Sequence, residues 1–181
     1  MRKLFWQIST TLDGYMEGPG GELADTARYA DPEFDRYASQ MLQAIGGIVL
    51  GRATYELFAG YWPAASGADA QRINALPKFV CSKTLYRLDW ANSQLIRDDI
   101  PGAIARLKQQ EGGDLALFGS ADLASTLMRH GLIDEYRLLV SPIVLGRGRR
   151  TFRDIAERLP LRLSQVQTWS AGLTALYYQP A

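Results

Sequence analysis

The sequence holds one cysteine and one histidine among 181 residues. A single thiol, Cys81, excludes an intrachain disulfide, and at the end of an apolar strand it reads as buried and inert. With His130 as the only imidazole, the common zinc sites and the familiar histidine-based catalytic triads are excluded, so no metal is expected. His130 precedes Gly131 at the end of a helical pattern, where a cation suits the helix dipole. An excess of either charge is also missing. Lys+Arg number 20 and Asp+Glu 19, for a net charge of +1, which gives non-specific nucleic-acid binding little electrostatic support. The densest basic stretch, Arg147, Arg149, Arg150 and Arg153, reads as a solvated loop, with a local anion contact as the alternative. Long apolar runs are absent: nothing approaches the ~20 residues of a membrane span, and the first residues lack the apolar core of a signal peptide. A cytoplasmic location without a membrane partner is the expectation.

What is present is an ordinary globular profile, 47% hydrophobic and 22% charged, sized for one domain over residues 1–181. Residues 3–12 are rich in aromatic and β-branched side chains and read as a strand ending at Asp13-Gly14. "GYMEGPGGE" reads as an exposed connection. Asp31 then fits a helix N-cap, with Pro32 at the first helical position and Phe34, Tyr37, Ala38, Met41, Leu42 and Ile45 at helical spacing. Gly46-Gly47 stop that helix. "IVLG", "KFVCS" and "DLALFG" are short, continuously apolar runs, the mark of strands buried on both faces. Residues 61–77 read as an irregular or weakly helical excursion. Helices are expected at "RATYELFAG", "DIPGAIARLKQQEGG" and "SADLASTLMRHG". A long strand at "IDEYRLLVSPIVLG" is ended by Pro142, and "LRLSQVQTWS" with "LTALYYQ" forms a closing antiparallel pair. Strands alternating with helices, then strands alone, predict an α/β protein: a mostly parallel sheet, helices on both faces and an antiparallel edge.

Two turns share one grammar. Strand "IVLG" runs into Gly51, Arg52, Thr54 and a helix; strand "LALFG" runs into Gly119, Ser120 and a helix. Ligands of parallel sheets bind beyond the carboxyl ends of the strands. A helix N-terminus there offers free N–H groups and positive potential, and glycine lets a phosphate reach the backbone. Arg52, Thr54 and Ser120 carry suitable phosphate donors. Each turn also has a plainer reading, as a strand-ending glycine followed by a helix cap. Neither matches the Rossmann or P-loop glycine pattern.

"VLGRATYE" resembles the G-R-x-T-[WY]-E segment of the dihydrofolate reductase superfamily, and "FVCSKTL" resembles its strand ending in Ser-Arg/Lys-Thr. "LALFGSADLASTLMRHGLIDEYRLLVSPIVLGRGRRTF" resembles its glycine turn, helix, Asp-Glu-leading strand and glycine-rich loop. "ISTTLDGYMEG" is similar to the opening of the riboflavin-biosynthesis reductase domain, the C-terminal half of the deaminase-reductase and a branch of the same superfamily. These segments recur in order over nearly the whole chain. Ser120 stands where that family usually has a second glycine, and "YELFAGYWPAAS" replaces its Asp-Pro segment.

The resemblance implies a dihydrofolate-reductase-like, three-layer αβα fold and the cofactor NADPH. It places Gly51, Arg52, Ala53 and Thr54 along the cofactor phosphates and Ser82, Lys83 and Thr84 around the adenosine end. Arg52 or Lys83 would meet the 2′-phosphate. Gly119, Ser120, Ala121, Asp122 and Leu123 would form the pyrophosphate turn, with Asp122 also fitting a plain acidic first-turn residue. Asp35 stands at the spacing before Gly51 of the family's substrate carboxylate; it also fits an ordinary first-turn acid. Asp13 is a candidate catalytic neighbour of the nicotinamide or a turn residue at the strand end. Trp62, with Tyr61, stacks on a planar substrate or anchors a loop. The implied activity is an NADPH-dependent reduction of a small heteroaromatic, nominally 5-amino-6-(5-phosphoribosylamino)uracil. The alternatives are pterin reduction of the dihydrofolate reductase type and a non-catalytic NADPH-binding protein. A homodimer is expected.

Overall fold

Alternation along the first strand sets the layers of the fold. The chain is described here by a computed structural model covering residues 1–21, 23, 29, 31–155 and 157–181. In β1 (Leu4–Thr11), Leu4, Trp6 and Ile8 join one apolar cluster while Phe5 joins another. Successive side chains of a strand point to opposite faces, so a strand with apolar residues on both faces needs cover on both sides. The cover comes from helices. On the Phe5 side lie α1 (Pro32–Ala44), α2 (Arg52–Ala59) and α3 (Ala68–Ala75), which contribute Leu42, Tyr55 and Ile73. On the Trp6 side lie α4 (Ile100–Gln109) and α5 (Ala121–Arg129), which contribute Ile104, Leu107, Ala124 and Leu127. The result is the three-layer αβα fold expected from the sequence.

The sheet between them has eight strands. Its remaining members are β3 (Gly47–Gly51), β4 (Lys78–Cys81), β5 (Ser93–Ile96), β6 (Leu115–Phe118), β7 (Glu135–Ser141), β9 (Leu161–Thr168) and β10 (Thr174–Pro180), in the order β5-β4-β3-β6-β1-β7-β10-β9. Every neighbouring pair from β5 to β7 is parallel, whereas β10 runs antiparallel to both β7 and β9. Val49 pairs with Leu117 and Gln7 with Phe118. That register brings the carboxyl ends of β1, β3 and β6 together at one rim, where the chain order of the strands reverses.

Three local readings change. Residues 68–75 form a regular helix, α3, although Gly67 gives it no side-chain cap. Its stability comes from burying Ala70 and Ile73 rather than from its own signals. "GYMEGPGGE" is not only turn: β2 (Tyr15–Glu17) pairs antiparallel with β8 (Arg149–Arg150); Glu22, in the same stretch, lies outside the described residues. Gly47 opens β3, so the glycine pair both stops a helix and starts a strand. Cys81 is buried, and burial pushes its thiol up to about 12, as an inert core thiol requires. No helix among the described residues is long and apolar enough to cross a membrane.

Candidate functional site

Gly51 ends β3, Ser120 follows the neighbouring β6 just before α5, and the two touch. The Gly51 N–H donates to Ser120 Oγ at 2.9 Å, and that hydroxyl donates to Thr54 Oγ1 at 2.9 Å. The two strand-to-helix turns singled out in the sequence are therefore one structure. A Cβ on Gly119 would come within 3.2 Å of Thr54 Oγ1, and one on Gly51 within 3.2 Å of Ser120 Oγ, so glycine permits the approach. Gly119 and Ser120 both take positive φ, +54° and +50°, which costs Ser120 of order 1 kcal/mol relative to glycine. The Gly119 carbonyl accepts from Trp6 Nε1 at 2.6 Å, and its N–H donates to the Gln7 carbonyl at 3.0 Å. Trp6 is fully buried and edge-on to Tyr136 and Phe152, so the turn rests on a rigid indole.

Both following helices begin without a side-chain cap. The first-turn N–H groups of α2 (Arg52, Ala53, Thr54) and of α5 (Ala121, Asp122, Leu123) thus present two positive helix ends side by side. The Gly51 N–H is the exception, because Ser120 takes it. The donor set suits a diphosphate: backbone amides on both sides of a glycine crossing, with the Thr54 hydroxyl and the Arg52 guanidinium on the α2 side. Arg52 is exposed and pairs with Glu56 at 3.5 Å, a surface contact weak enough to exchange.

The third segment curls at the end of β4, two strands from β6. Ser82 Oγ accepts from the N–H groups of Thr84 and Leu85 at 3.2 and 3.0 Å, so its hydroxyl shapes the turn that carries exposed Lys83. Arg97, which the sequence reading did not single out, donates to the Lys83 carbonyl and stacks on Tyr86. It adds a second cation to this turn, and only the β4–β5 pairing reveals it.

Below the crossing opens a cavity of about 570 Å³, bounded by Gln7, Ser9, Asp35, Thr54, Trp62, Asp69 and Gly119 among polar, aromatic and turn residues. Its walls are apolar: Phe34, Met41, Phe58, Ile73, Phe118 and Leu139. Asp35 and Trp62, expected at the substrate, both line it. Trp62 is held by Phe58 and Tyr61 rings at 6.4 and 5.0 Å, and its carbonyl accepts from Asn74; wall and loop anchor are the same residue. Gln7 Oε1 accepts from Tyr37 at 2.9 Å. Asp69 and Gln7 went unnoticed in the sequence, Asp69 because the helix that carries it was read as irregular.

Asp13, expected either beside the nicotinamide or as a turn residue at the strand end, is engaged by the loop after β7. Its Oδ2 accepts the Gly146 N–H at 2.7 Å and its Oδ1 the Leu145 N–H at 3.2 Å, with Thr11 Oγ1 donating at 2.6 Å. The carboxylate clamps the glycine-rich loop after β7. The Thr11 hydroxyl first, and then the two amides, hold its pKa below the ordinary carboxylate value. Asp122 is likewise engaged: Arg149 and Arg153 both bind its carboxylate. Only its backbone N–H remains for an anion, and the arginine-rich stretch is partly an ion-paired strap over α5 rather than a solvated loop.

Comparison with known proteins agrees with this architecture. Residues 2–175 match the RibD C-terminal domain. The chain is 31% identical over 182 residues to the uncharacterized protein YyaP of Bacillus subtilis (strain 168), covering 98% of this chain and 94% of that one. It is 27% identical to YwjB of the same organism, covering 97% of each. Among solved structures, a putative riboflavin biosynthesis protein from Shewanella sp. PV-4 superposes with a TM-score of 0.80 at 21% identity over 99% of both chains. The Thermotoga maritima diaminohydroxyphosphoribosylaminopyrimidine deaminase/5-amino-6-(5-phosphoribosylamino)uracil reductase superposes at 0.69 and 12% identity, over 99% of this chain and 57% of that one.

Proposed function

The chain belongs to the RibD C-terminal domain family, and from that premise we propose that it is an NADPH-dependent reductase that transfers hydride to a small heteroaromatic substrate. The observation that carries this reading is the Gly51–Ser120–Thr54 contact. It fuses two uncapped helix starts into one anion cradle, and Thr54 and Gly119 of that cradle also line the cavity. Phosphate binding and substrate binding are thereby contiguous, as a hydride transfer between two bound molecules needs.

When bound, the nicotinamide supplies the hydride. The protein supplies position. Residues Arg52–Thr54 and Ser120–Leu123 hold the phosphates through backbone amides and the Thr54 hydroxyl, Gly51 and Gly119 giving room for the approach, while Ser82, Lys83 and Thr84 surround the adenosine end. Arg52 or Lys83 meets the 2′-phosphate, an ionic contact that selects NADPH over NADH. Trp62 and Phe58 pack against the substrate ring. Asp35 stands at the cavity wall, placed to orient the ring by accepting its N–H groups. Asp13 acts at a distance, holding the loop at 145–146 beside β1.

Cofactor oxidation followed with a panel of pterins, aminopyrimidines and aminouracils tests the reading. Turnover with at least one ring compound, reduced in Asp35→Asn while NADPH affinity is retained, is the expected result. An Asp35→Asn enzyme with unchanged turnover removes Asp35 from the site, and the absence of any NADPH affinity removes the reductase assignment.

A further inference from the structure

The charged groups that line the cavity are all acids: among the described residues they are Asp35 and Asp69. Asp69 is held in place by Ser39, whose hydroxyl donates to Oδ2 at 2.6 Å, and the Asp35 carboxylate has no hydrogen-bond or ion-pair partner among the described residues. Around them stand apolar walls from Phe34, Phe58, Trp62, Ile73 and Phe118. The arginines on the neighbouring helices are turned to other work. Arg72 donates to the carbonyls of Leu42, Gln43 and Ile45, Arg36 pairs with Glu33, and Arg52 starts the helix of the phosphate cradle and pairs with Glu56.

Asp69 is half-buried against this apolar wall, where water screens a charge less than in bulk, and Asp35 adds its charge from the exposed rim. A phosphate monoester brought into this cavity would carry its negative charges towards two carboxylates and would find no cation among the described lining residues. Carboxylates are acceptors only, so the ligand they favour carries N–H donors and a neutral or positive charge. Resting on the reductase reading above, we infer that Asp69 together with Asp35 makes this cavity select an unphosphorylated, amino-bearing heteroaromatic and reject its phosphoribosyl counterpart. The chain then departs in substrate from the phosphoribosyl compound named for the Thermotoga maritima enzyme, while keeping its fold. Asp69 is a specificity residue that repels the wrong ligand rather than one that reacts.

The test uses a matched pair of probes, 5-amino-6-(ribosylamino)uracil and 5-amino-6-(5-phosphoribosylamino)uracil, titrated calorimetrically into the full chain with and without NADP+. The unphosphorylated member is expected to bind about tenfold or more tightly, with the gap narrowing as salt is raised. Asp69→Asn keeps an acceptor for Ser39 and should improve binding of the phosphorylated probe by roughly three- to tenfold while changing the other by less than about twofold. Asp35→Asn should also improve binding of the phosphorylated probe relative to the unphosphorylated one, while weakening the latter. Equal or tighter binding of the phosphorylated probe, an unchanged gap in both variants, or no binding of either probe overturns the inference. A parallel NADPH titration separates the two ideas. Cofactor binding with a preference for the phosphorylated probe sinks the charge rule alone. The expected preference without cofactor binding sinks the reductase reading alone.

Discussion

Ser120, whose own backbone is left-handed with φ at +50°, accepts the Gly51 N–H on its Oγ at 2.9 Å. The side chain that staples the two turns thus sits where glycine would be more comfortable. Ser120→Ala and Ser120→Gly both lose the staple and leave the Gly51 amide without its partner, but only alanine still strains the backbone. Chemical denaturation should rank Ser120→Ala below Ser120→Gly by about 1 kcal/mol. Equal stabilities would show that the turn relaxes away from the left-handed region.

Lys78 is fully buried, and its Nζ donates to the carbonyls of Asn74, Leu76 and Ala91 at 2.7, 2.9 and 3.0 Å while lying over Trp90. It closes the C-terminal end of α3, the helix that brings Asp69 and Ile73 to the cavity. Lys78→Met keeps the stem's packing and removes the donor to the Leu76 and Ala91 carbonyls, while the Asn74 carbonyl keeps its bond from Asn92 Nδ2, so unfolding should become easier by roughly 1–3 kcal/mol. A variant as stable as the wild type would mean that water reaches these groups.

Asp13 gives a pH dependence of known sign. Folding lowers its pKa from the ordinary value of 3.8, through the Thr11 hydroxyl and the Gly146 and Leu145 amides. A group whose pKa is lowered by folding stabilises the native state fully above its unfolded pKa and loses that contribution as pH falls through the lowered value. Acid titration of the wild type should therefore free the loop at residues 145–146, seen as faster amide exchange there, below about pH 4. Asp13→Asn should show fast exchange at neutral pH; protection equal to that of the wild type would contradict the clamp.

Much of this was legible in the residues. Continuous apolar runs at Ile48–Leu50 and Leu115–Phe118 announce strands covered on both faces, and the glycines after them announce turns, because both signals are local. The link between the turns was not legible. Ser120 meets Gly51 only because β3 and β6 pair in one register, which no window of sequence reports. The same holds for Asp13, whose amide partners lie 132 and 133 residues away, and for β2 and β8, too short to show a period. Asp69 was hidden because α3 lacks a cap and draws its stability from buried neighbours.

In the proposed reading, cofactor choice rests on Arg52 and Lys83. If Arg52 meets the 2′-phosphate, Arg52→Ala should weaken NADPH by roughly 1.5–3 kcal/mol and leave NADH nearly unchanged. The same loss for both cofactors would move that contact to Lys83, in the turn after β4, or to Arg97, which donates to the Lys83 carbonyl from the end of β5.

The central claim, a diphosphate held where α2 and α5 begin, is tested most directly by titrating the wild-type protein with NADPH and NADH in parallel while following tryptophan fluorescence. Trp6 holds the Gly119 carbonyl and Trp62 lines the adjoining cavity, so occupancy has two reporters. Saturable binding of one equivalent, tighter for NADPH, is the predicted result. A signal that fails to saturate with either nucleotide would contradict it.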